Sequence, residues 1–421
     1  MHLAKVIKSD LVTVHVAAEL LKVSPDTIRR WHKKGLIKAT IGAHGERLFS
    51  RDEISRVAKK GTSSDIPWAV LNASRSKLTS IELFCGAGGL ALGMHNAGIN
   101  SQLLVDFDKD SIKTINKNRP DWNAVCESVL NMDLKQYVNN IDIMAGGFPC
   151  QAFSYAGKGL GFTDTRGTLF YEFARLISQV RPKLVIGENV KGLLNHDNGR
   201  TLSVIVEELK GLGYKVAYKV MRAQFLDVPQ KRERLIIFGL RSDIDSQIFF
   251  PVEKDYTITL RAALKKVPKS DGQKYSESKQ KIMELIPEGG YWRDLPADLQ
   301  REFMGGSFHL GGGKTGMARR LSWSEPSLTL TCNPAQKQTE RCHPKETRPL
   351  TVREYARIQT FPDDWEFMGS TSSQYKQIGN AVPVNLGYHI GLAARKILGT
   401  PARNADQPSV LKKYEEEFTL F

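Results

Sequence analysis

The chain has 421 residues, 41% of them hydrophobic, with 60 Lys+Arg against 45 Asp+Glu and a net charge of +15. That length allows two or three domains with sizeable cores, and the charge points to a polyanionic partner. No N-terminal apolar stretch resembles a signal peptide and no apolar run reaches the roughly 18 residues of a membrane span, so a soluble, cytoplasmic protein without a membrane partner is expected. The five cysteines (Cys85, Cys126, Cys150, Cys332, Cys342) are odd in number and scattered, which excludes a disulfide framework and suits a reducing compartment.

The charge is unevenly spread. Residues 1–60 hold 13 Lys/Arg against 6 Asp/Glu, and residues 251–347 hold 16 against 12, so two basic modules flank a nearly neutral body. Composition shifts set the expected boundaries: a basic module at 1–60, a linker at 61–77, an alternating body at 78–250, a glycine-rich irregular segment at 251–347, regular patterning again at 348–398, and a polar, loosely held tail at 399–421.

In the first module, Val14 to Leu21 reads as a helix that buries Val16, Ala17, Leu20 and Leu21. Ser24 is a good N-cap and Pro25 occupies the first position of a second helix. There Ile28 and Trp31 face inward, while Thr27, Arg29, Arg30, Lys33 and Lys34 point out, and Gly35 ends the helix. Lys38–Ile41 and Glu46–Phe49, joined by Gly42-Ala43-His44-Gly45, form a hairpin wing, and Ser50-Arg51-Asp52-Glu53 opens a third helix with a capping box. This pattern resembles the winged helix-turn-helix of mercury-resistance-type regulators and phage excisionases. The resemblance implies major-groove binding through Thr27, Arg29, Arg30 and Lys33. The competing reading is a solvated basic helix in a small protein-binding domain.

From Leu78 to about Phe250, strand-like and helix-like segments alternate, as in a doubly wound parallel sheet. Ile81-Glu82-Leu83-Phe84-Cys85-Gly86-Ala87-Gly88-Gly89-Leu90 is a strand running into a glycine turn and a helix, where backbone can approach a nucleotide-like ligand. Asp106, about 20 positions later, suits a ribose diol; Phe107 offers a face for an adenine; Asp133 can accept from an adenine amino group. These features fit an adenosyl cofactor and leave S-adenosylmethionine and NAD undistinguished.

Ile141–Ala145 reads as an interior strand broken by Gly146-Gly147, which delivers Cys150 on a loop at the C-terminal sheet edge, where such sheets bind ligands. A thiol there is a nucleophile if a neighbouring charge lowers its pKa, and otherwise a small buried hydrophobe. Lys183–Gly187 ends at Glu188-Asn189-Val190 on the same edge. Gln230-Lys231-Arg232-Glu233-Arg234 precedes another strand, and alternation throws Gln230, Arg232 and Arg234 to one side. A thiol, a carboxylate and paired arginines form a reactive centre rather than a hydride-transfer site.

Six motifs stand in the order of one family. Gly147-Phe148-Pro149-Cys150-Gln151-Ala152-Phe153-Ser154, Asp164 through Phe170, Glu188-Asn189-Val190, Gln230 through Arg234, Arg348 through Glu354, and Gln377 through Pro383 resemble the bacterial cytosine-C5 DNA methyltransferases over about residues 78–398. The resemblance implies a Rossmann-like doubly wound α/β sheet with an inserted target-recognition domain at 251–347. It implies Cys150 as nucleophile, Glu188 (kept protonated by burial) as proton donor to the base, and Arg232 and Arg234 on the base oxygen. It implies S-adenosyl-L-methionine held by Phe84, Gly86, Gly88, Gly89, Asp106, Phe107, Asp133, Leu134, Gly147, Leu169, Asn380 and Val382. Asp106 departs from the Glu that many members carry, one methylene shorter. Duplex DNA would meet Gln151 and Ser154 beside the thiol and Arg319, Arg320, Gln336 and Lys337 near Thr329-Leu330-Thr331, with the Cys150–Gly161 loop as a lid.

The family resemblance further implies a restriction-modification role, with a cognate endonuclease in the same system and no direct contact between them. The catalytic unit is expected to act as a monomer, with the N-terminal module as the place for a dimer and for autoregulation. The competing readings are an RNA cytosine-C5 methyltransferase and a transcription regulator with a relic enzyme body. Cys332, Cys342, His343 and His309 have no zinc-ligand spacing, so no metal is expected.

Overall fold

The computed structural model describes residues 11–21, 23, 25–33, 37–42, 45–58, 66–149, 169–309, 314–401 and 418–420. The N-terminal module contains β1 (Leu11–Thr13), α1 (Val14–Leu20), α2 (Pro25–Lys33), β2 (Thr40–Ile41), β3 (Arg47–Ser50) and α3 (Arg51–Ala58), its strands forming an antiparallel sheet of order β1-β3-β2. Ser50 Oγ accepts from the Glu53 amide at 3.1 Å and so caps α3, while the Glu53 carboxylate accepts from the Lys38 amide at 2.7 Å, tying the helix to the wing.

Two helix faces differ from expectation. In α1 the buried set is Ala17, Ala18 and then Leu21, while Val16 and Leu20 are exposed. The inward arc is centred between positions 17 and 21, one residue away from the arc expected. In α2, Thr27 is fully buried beside Ile28, because it lies one helical turn before Trp31 on the same face. Thr27 therefore cannot read DNA. Arg29 is exposed; the side chains of Arg30 and Lys33, and Ser24, Lys34, Gly35, Ala43 and His44, lie outside the described residues.

The body is one seven-stranded sheet. In chain order it comprises β4 (Thr79–Leu83), α4 (Gly89–Asn96), β5 (Asn100–Asp106), α5 (Lys109–Asn118), β6 (Ala124–Cys126), β7 (Ile143–Gly146), α6 (Leu169–Val180), β8 (Leu184–Val190), α7 (Arg200–Gly211), β9 (Tyr214–Arg222), β10 (Gln230–Lys231), β11 (Glu233–Arg241) and β12 (Phe249–Pro251). The sheet order is β6-β5-β4-β7-β8-β11-β9. Every neighbouring pair is parallel except those of β11, which runs antiparallel to both β8 and β9. The connection from β9 to β11 holds no helix long enough for a crossover, so β11 returns beside β9 in the opposite sense. Strand order reverses between β4 and β7, which opens a crevice at their C-terminal ends.

Continuous apolar runs bury both faces of this sheet. Leu90, Met94, Ile143, Ala145, Leu386 and Ile390 fill one side, and Ile81, Leu83, Met144, Phe173, Ile177 and Ile205 the other. The segment after β12 carries α8 (Leu260–Ala263), α9 (Glu277–Glu284), α10 (Ala297–Met304) and the short strand β13 (Ser327–Leu328), with a small core of its own built on Met283, Trp292, Met304 and Cys342. β13 pairs in parallel with β10 and so ties this segment back to the body.

The chain then adds α11 (Val352–Ile358), α12 (Thr371–Asn380) and α13 (Val384–Ile397). α13 lies against α4 at a glycine contact: a Cβ on Gly93 would fall 2.6 Å from Gly387 Cα, so neither backbone could approach as closely with a side chain between them. Residues 66–77, expected as linker, pack on the body: Ile66 and Leu71 are buried, and the Leu71 amide donates to Asn385 Oδ1 at 3.1 Å. In the polar tail, β14 (Phe418–Leu420) pairs antiparallel with β12. Among the described residues, no helix is long and apolar enough to cross a membrane.

Candidate active site

The crevice between β4 and β7 is shaped first by its glycines. After β4 the backbone turns left-handed at Phe84 (φ 58°), Gly86 (φ 52°) and Gly88 (φ 82°) before α4 begins. The Gly86 amide donates to Asp106 Oδ2 and the Asp108 amide to Oδ1, both at 2.8 Å. Asp106 therefore locks the turn. Burial pushes its carboxyl up, with the two amides opposing. Phe107, next in line, has 72% of its surface exposed and presents an open ring.

Asp133 is exposed and takes the Lys135 amide at 3.0 Å, which holds its carboxyl below the usual range. Leu134 is buried in the sheet core and its amide is engaged by Gln179 at 2.9 Å, so it is part of the frame. The C-terminal motif closes the other side. A Cβ on Gly89 would lie 2.3 Å from the Val382 carbonyl oxygen, so α4 and the 381–382 backbone are in direct contact across almost the whole chain. Asn380 is exposed at the end of α12, where its Oδ1 accepts from the Cys332 thiol at 3.0 Å.

The reactive edge lies next to this turn. Gly147 follows β7, and a Cβ there would sit 3.2 Å from Glu188 Oε2. Asn189 Nδ2 donates to the Phe148 carbonyl at 2.8 Å, so the end of β8 fixes the chain that leads into Pro149 and Cys150. Glu188 and Arg234 form an ion pair at 2.8 Å, each side chain 13% exposed. Arg234 therefore stands on the edge where it was expected, as the direct partner of Glu188. Leu169 opens α6 below. Cys150, Gln151, Ser154, the Cys150–Gly161 loop and residues 164–168 lie outside the described residues. Cys85 is no substitute nucleophile, since burial and then Glu82 push its thiol well up.

Arg232 does not share the edge with Arg234. It is 1% exposed and donates to the carbonyls of Leu330 (3.2 Å), Gly379 (3.1 Å) and Ala381 (3.0 Å). Burial, with Arg234 second, pulls its pKa down to about 9. Gln230 is likewise buried, between Leu330 and Gln359. The Arg232 amide bonds back to the Gln230 carbonyl at 2.9 Å, and this tight turn between β10 and β11 breaks the strand alternation on which the shared side was inferred. Arg232 is a clamp on three segments and cannot hold a base.

Arg320 also moves from recognition to support. It is buried and donates to the carbonyls of Ile286, His343, Glu346 and Met283 and to Thr347 Oγ1. Arg319 braces Gly289 and Thr315 over the Tyr291 ring, and Arg341 is buried against Thr329. Gln336 and Lys337 stay exposed, Lys337 5.0 Å from the Phe303 ring.

One residue was missed. Glu82 on β4 is 3% exposed, and its Oε2 has no hydrogen-bond partner. Burial, then Asp106 and Glu188, push its carboxyl well up. Its signal was a single acid inside the apolar run Ile81–Leu83. Three acids thus meet at the crevice, one of them lacking a donor.

A glycine turn beside buried acids, with a carboxylate–guanidinium pair at the switch point, makes a ligand-binding crevice on an α/β sheet. The chain belongs to the family of C-5 cytosine-specific DNA methylases, whose model matches residues 78–396, and it is a DNA cytosine-C5 methyltransferase. A helix-turn-helix domain model matches residues 11–62. The chain is 53% identical over 393 residues to the Type II methyltransferase M.Eco47II of Escherichia coli (90% of this chain, 94% of the relative). It is 50% identical to the Type II methyltransferase M.PspPI of a Psychrobacter species, covering 92% of this chain and 97% of the relative. The fold is similar to the crystal structure of an E. coli prophage protein assigned as a DNA modification methyltransferase, at TM-score 0.57 and 24% identity, over 77% of this chain and all of the other.

Proposed function

We propose that this enzyme methylates C5 of a flipped cytosine in a short duplex DNA sequence, taking the methyl group from S-adenosyl-L-methionine, as the modification half of a restriction-modification pair. The observation that carries the reading is the Glu188–Arg234 pair, fixed beside the backbone that leads into Cys150 at the switch point of the sheet. The Type II names of its relatives support the pairing with an endonuclease.

The site suits that cofactor by charge. S-adenosyl-L-methionine carries a sulfonium and an ammonium, and a cation relieves the repulsion gathered on Glu82, Asp106 and Glu188. An anionic dinucleotide would add to it. The orphaned Glu82 oxygen gives an ammonium an acceptor. Gly86 leaves room for close approach, since nothing lies within 4 Å of the position a Cβ would take there. Each Asp106 oxygen keeps a second lone pair for a ribose hydroxyl. Phe107 supplies a face for the adenine, Asp133 an acceptor, and Asn380 and Val382 the closing wall. The bound cofactor supplies an electrophilic methyl carbon.

The residues of the chain do the rest. The Cys150 thiol adds to C6 of the cytosine as its proton is relayed through the Glu188 carboxylate to N3, and C5 becomes nucleophilic as an enamine. Arg234 holds Glu188 and the base oxygen together. After C5 takes the methyl group, its proton leaves to water, the C6–S bond breaks, N3 returns its proton, and the ring is restored. Since C6 is shielded within a duplex, the base must be flipped out.

The N-terminal module reads DNA through α2 and regulates its own promoter, with the exposed Arg29 and the helix-turn-helix match in support. Bisulfite sequencing of DNA from cells expressing the protein tests the reading: cytosines within one short motif should be protected. Uniform conversion at every motif would refute it.

A further inference from the structure

A second basic surface lies outside the reactive edge and the cofactor turn. A cleft of about 740 Å³ opens between the start of the body and the α8 region, with Trp68 and Trp323 as aromatic walls and Arg261, Lys265 and Arg357 as cations. Arg357 is spoken for: it lies 4.7 Å over the Trp68 ring and pairs with Asp363. Arg261 stacks 5.5 Å over Trp323 and is exposed, as is Lys265. Neither has an ion-pair partner among the described residues.

The position of the cleft links it to the N-terminal module. Its first wall, Pro67 and Trp68, follows that module in sequence, and the Trp68 indole N–H donates to the Arg357 carbonyl at 2.9 Å. Its second wall begins at Thr259, four residues after Asp255. Trp31, in the core of α2, donates to the Asp255 carbonyl at 2.6 Å. Asp255 itself stands between Lys254 and Tyr256, both bound to the buried Asp227, so the docking point is rigid. The module is therefore held against the body close to the cleft rather than hanging on a free tether.

We propose that this cleft binds the sugar–phosphate backbone of the DNA held by the N-terminal module, and so forms a second DNA site separate from the methylation cleft. Two exposed cations without carboxylate partners match phosphodiesters, and indole walls suit sugar and base edges. The chain's charge of +15 favours a polyanion over an acidic peptide of low charge density. A single helix-turn-helix holds a half-site weakly, and a fixed neighbouring anchor raises its affinity without a second protomer. The proposal rests on the reading of the N-terminal module as a DNA binder.

The test uses the full-length protein and a labelled duplex of several helical turns, with binding measured against salt concentration. Arg261→Gln with Lys265→Gln should flatten the slope of log K against log salt by roughly 1.8, two phosphate contacts at about 0.9 each. Arg29→Ala with Arg30→Ala should flatten it independently. If only the α2 variant flattens the slope, the cleft proposal is wrong and the module reading stands. If neither does, both are wrong. If the cleft variant instead raises KM for methylation of a one-turn target duplex, the cleft belongs to the methylation clamp and the proposal is overturned.

Discussion

Arg232 and Arg234 stand two residues apart, and their contacts assign them opposite jobs. Arg232→Ala removes the donor to three buried carbonyls, at Leu330, Gly379 and Ala381. Leaving each acceptor unsatisfied costs about 1 kcal/mol at the low end of the usual range, and the vacated volume adds to it. A loss of about 4 kcal/mol follows, with a melting temperature lower by about 6 °C for a body of this size. Arg234→Ala breaks a pair only 13% exposed on each side and leaves Glu188 without its cation, so it also costs stability, about 3 kcal/mol. Its cost in chemistry should be a fall in kcat of about 100-fold or more, since Glu188 and the base oxygen lose their common partner. Thermal melts and single-turnover methylation of one duplex, run side by side, separate the two effects. Arg232→Ala that melts like the wild type yet cannot methylate would refute the division of labour.

Three further outcomes follow from the burial of charge. Burial, Asp106 and Glu188 raise the Glu82 carboxyl, so the fold loses stability as pH rises from the unfolded value near 4.3 toward the raised folded value. Glu82→Gln should therefore melt higher than wild type above about pH 5 and bind S-adenosyl-L-methionine more weakly; lower melting at neutral pH with unchanged cofactor titration would count against it. Burial opposes ionisation of Asp227, but Lys254 and His389 outweigh it and hold the carboxyl well below its usual range. Its contribution is present above about pH 4 and lost as pH falls toward the folded value, so the deficit of Asp227→Asn in urea unfolding should be large at neutral pH and shrink below about pH 4. Arg320→Ala should destabilise the 275–347 segment and expose it to protease while leaving the methylated sequence unchanged, because its guanidinium faces carbonyls of its own domain; an altered target sequence in a folded variant would restore it as a base reader.

The parts legible in the sequence were those fixed by local chemistry. The glycine turn after Leu83, the acid at Asp106 and the strand ends at Gly147 and Glu188 each follow from a short apolar run and its breaker, and motif order supplied the rest. The misreadings share a physical cause, which is that side-chain direction depends on neighbours far along the chain. Strand alternation put Arg232 with Arg234 until the Arg232–Gln230 backbone bond reset it. Thr27 looked polar enough to face solvent, but one turn beneath Trp31 it is core. Arg320 looked like a DNA-reading cation, yet its partners are carbonyls brought from both sides of its own segment. Glu82 passed as part of a buried strand, and only the approach of Asp106 and Glu188 shows it as one of three gathered acids. The docking of Trp31 on Asp255 spans 224 positions and leaves no local trace.

Covalent capture tests the central claim most directly. A duplex that carries the target sequence with 5-fluorocytosine at the methylated position, incubated with the enzyme and S-adenosyl-L-methionine, should give a stable protein–DNA adduct. Fluorine cannot leave C5 as a cation, so the thiol cannot be expelled. Peptide mapping by mass spectrometry should place the adduct on Cys150, and Cys150→Ala should bind cofactor normally and trap nothing. An adduct on another residue, or methylation retained by Cys150→Ala above a few per cent, would contradict the account.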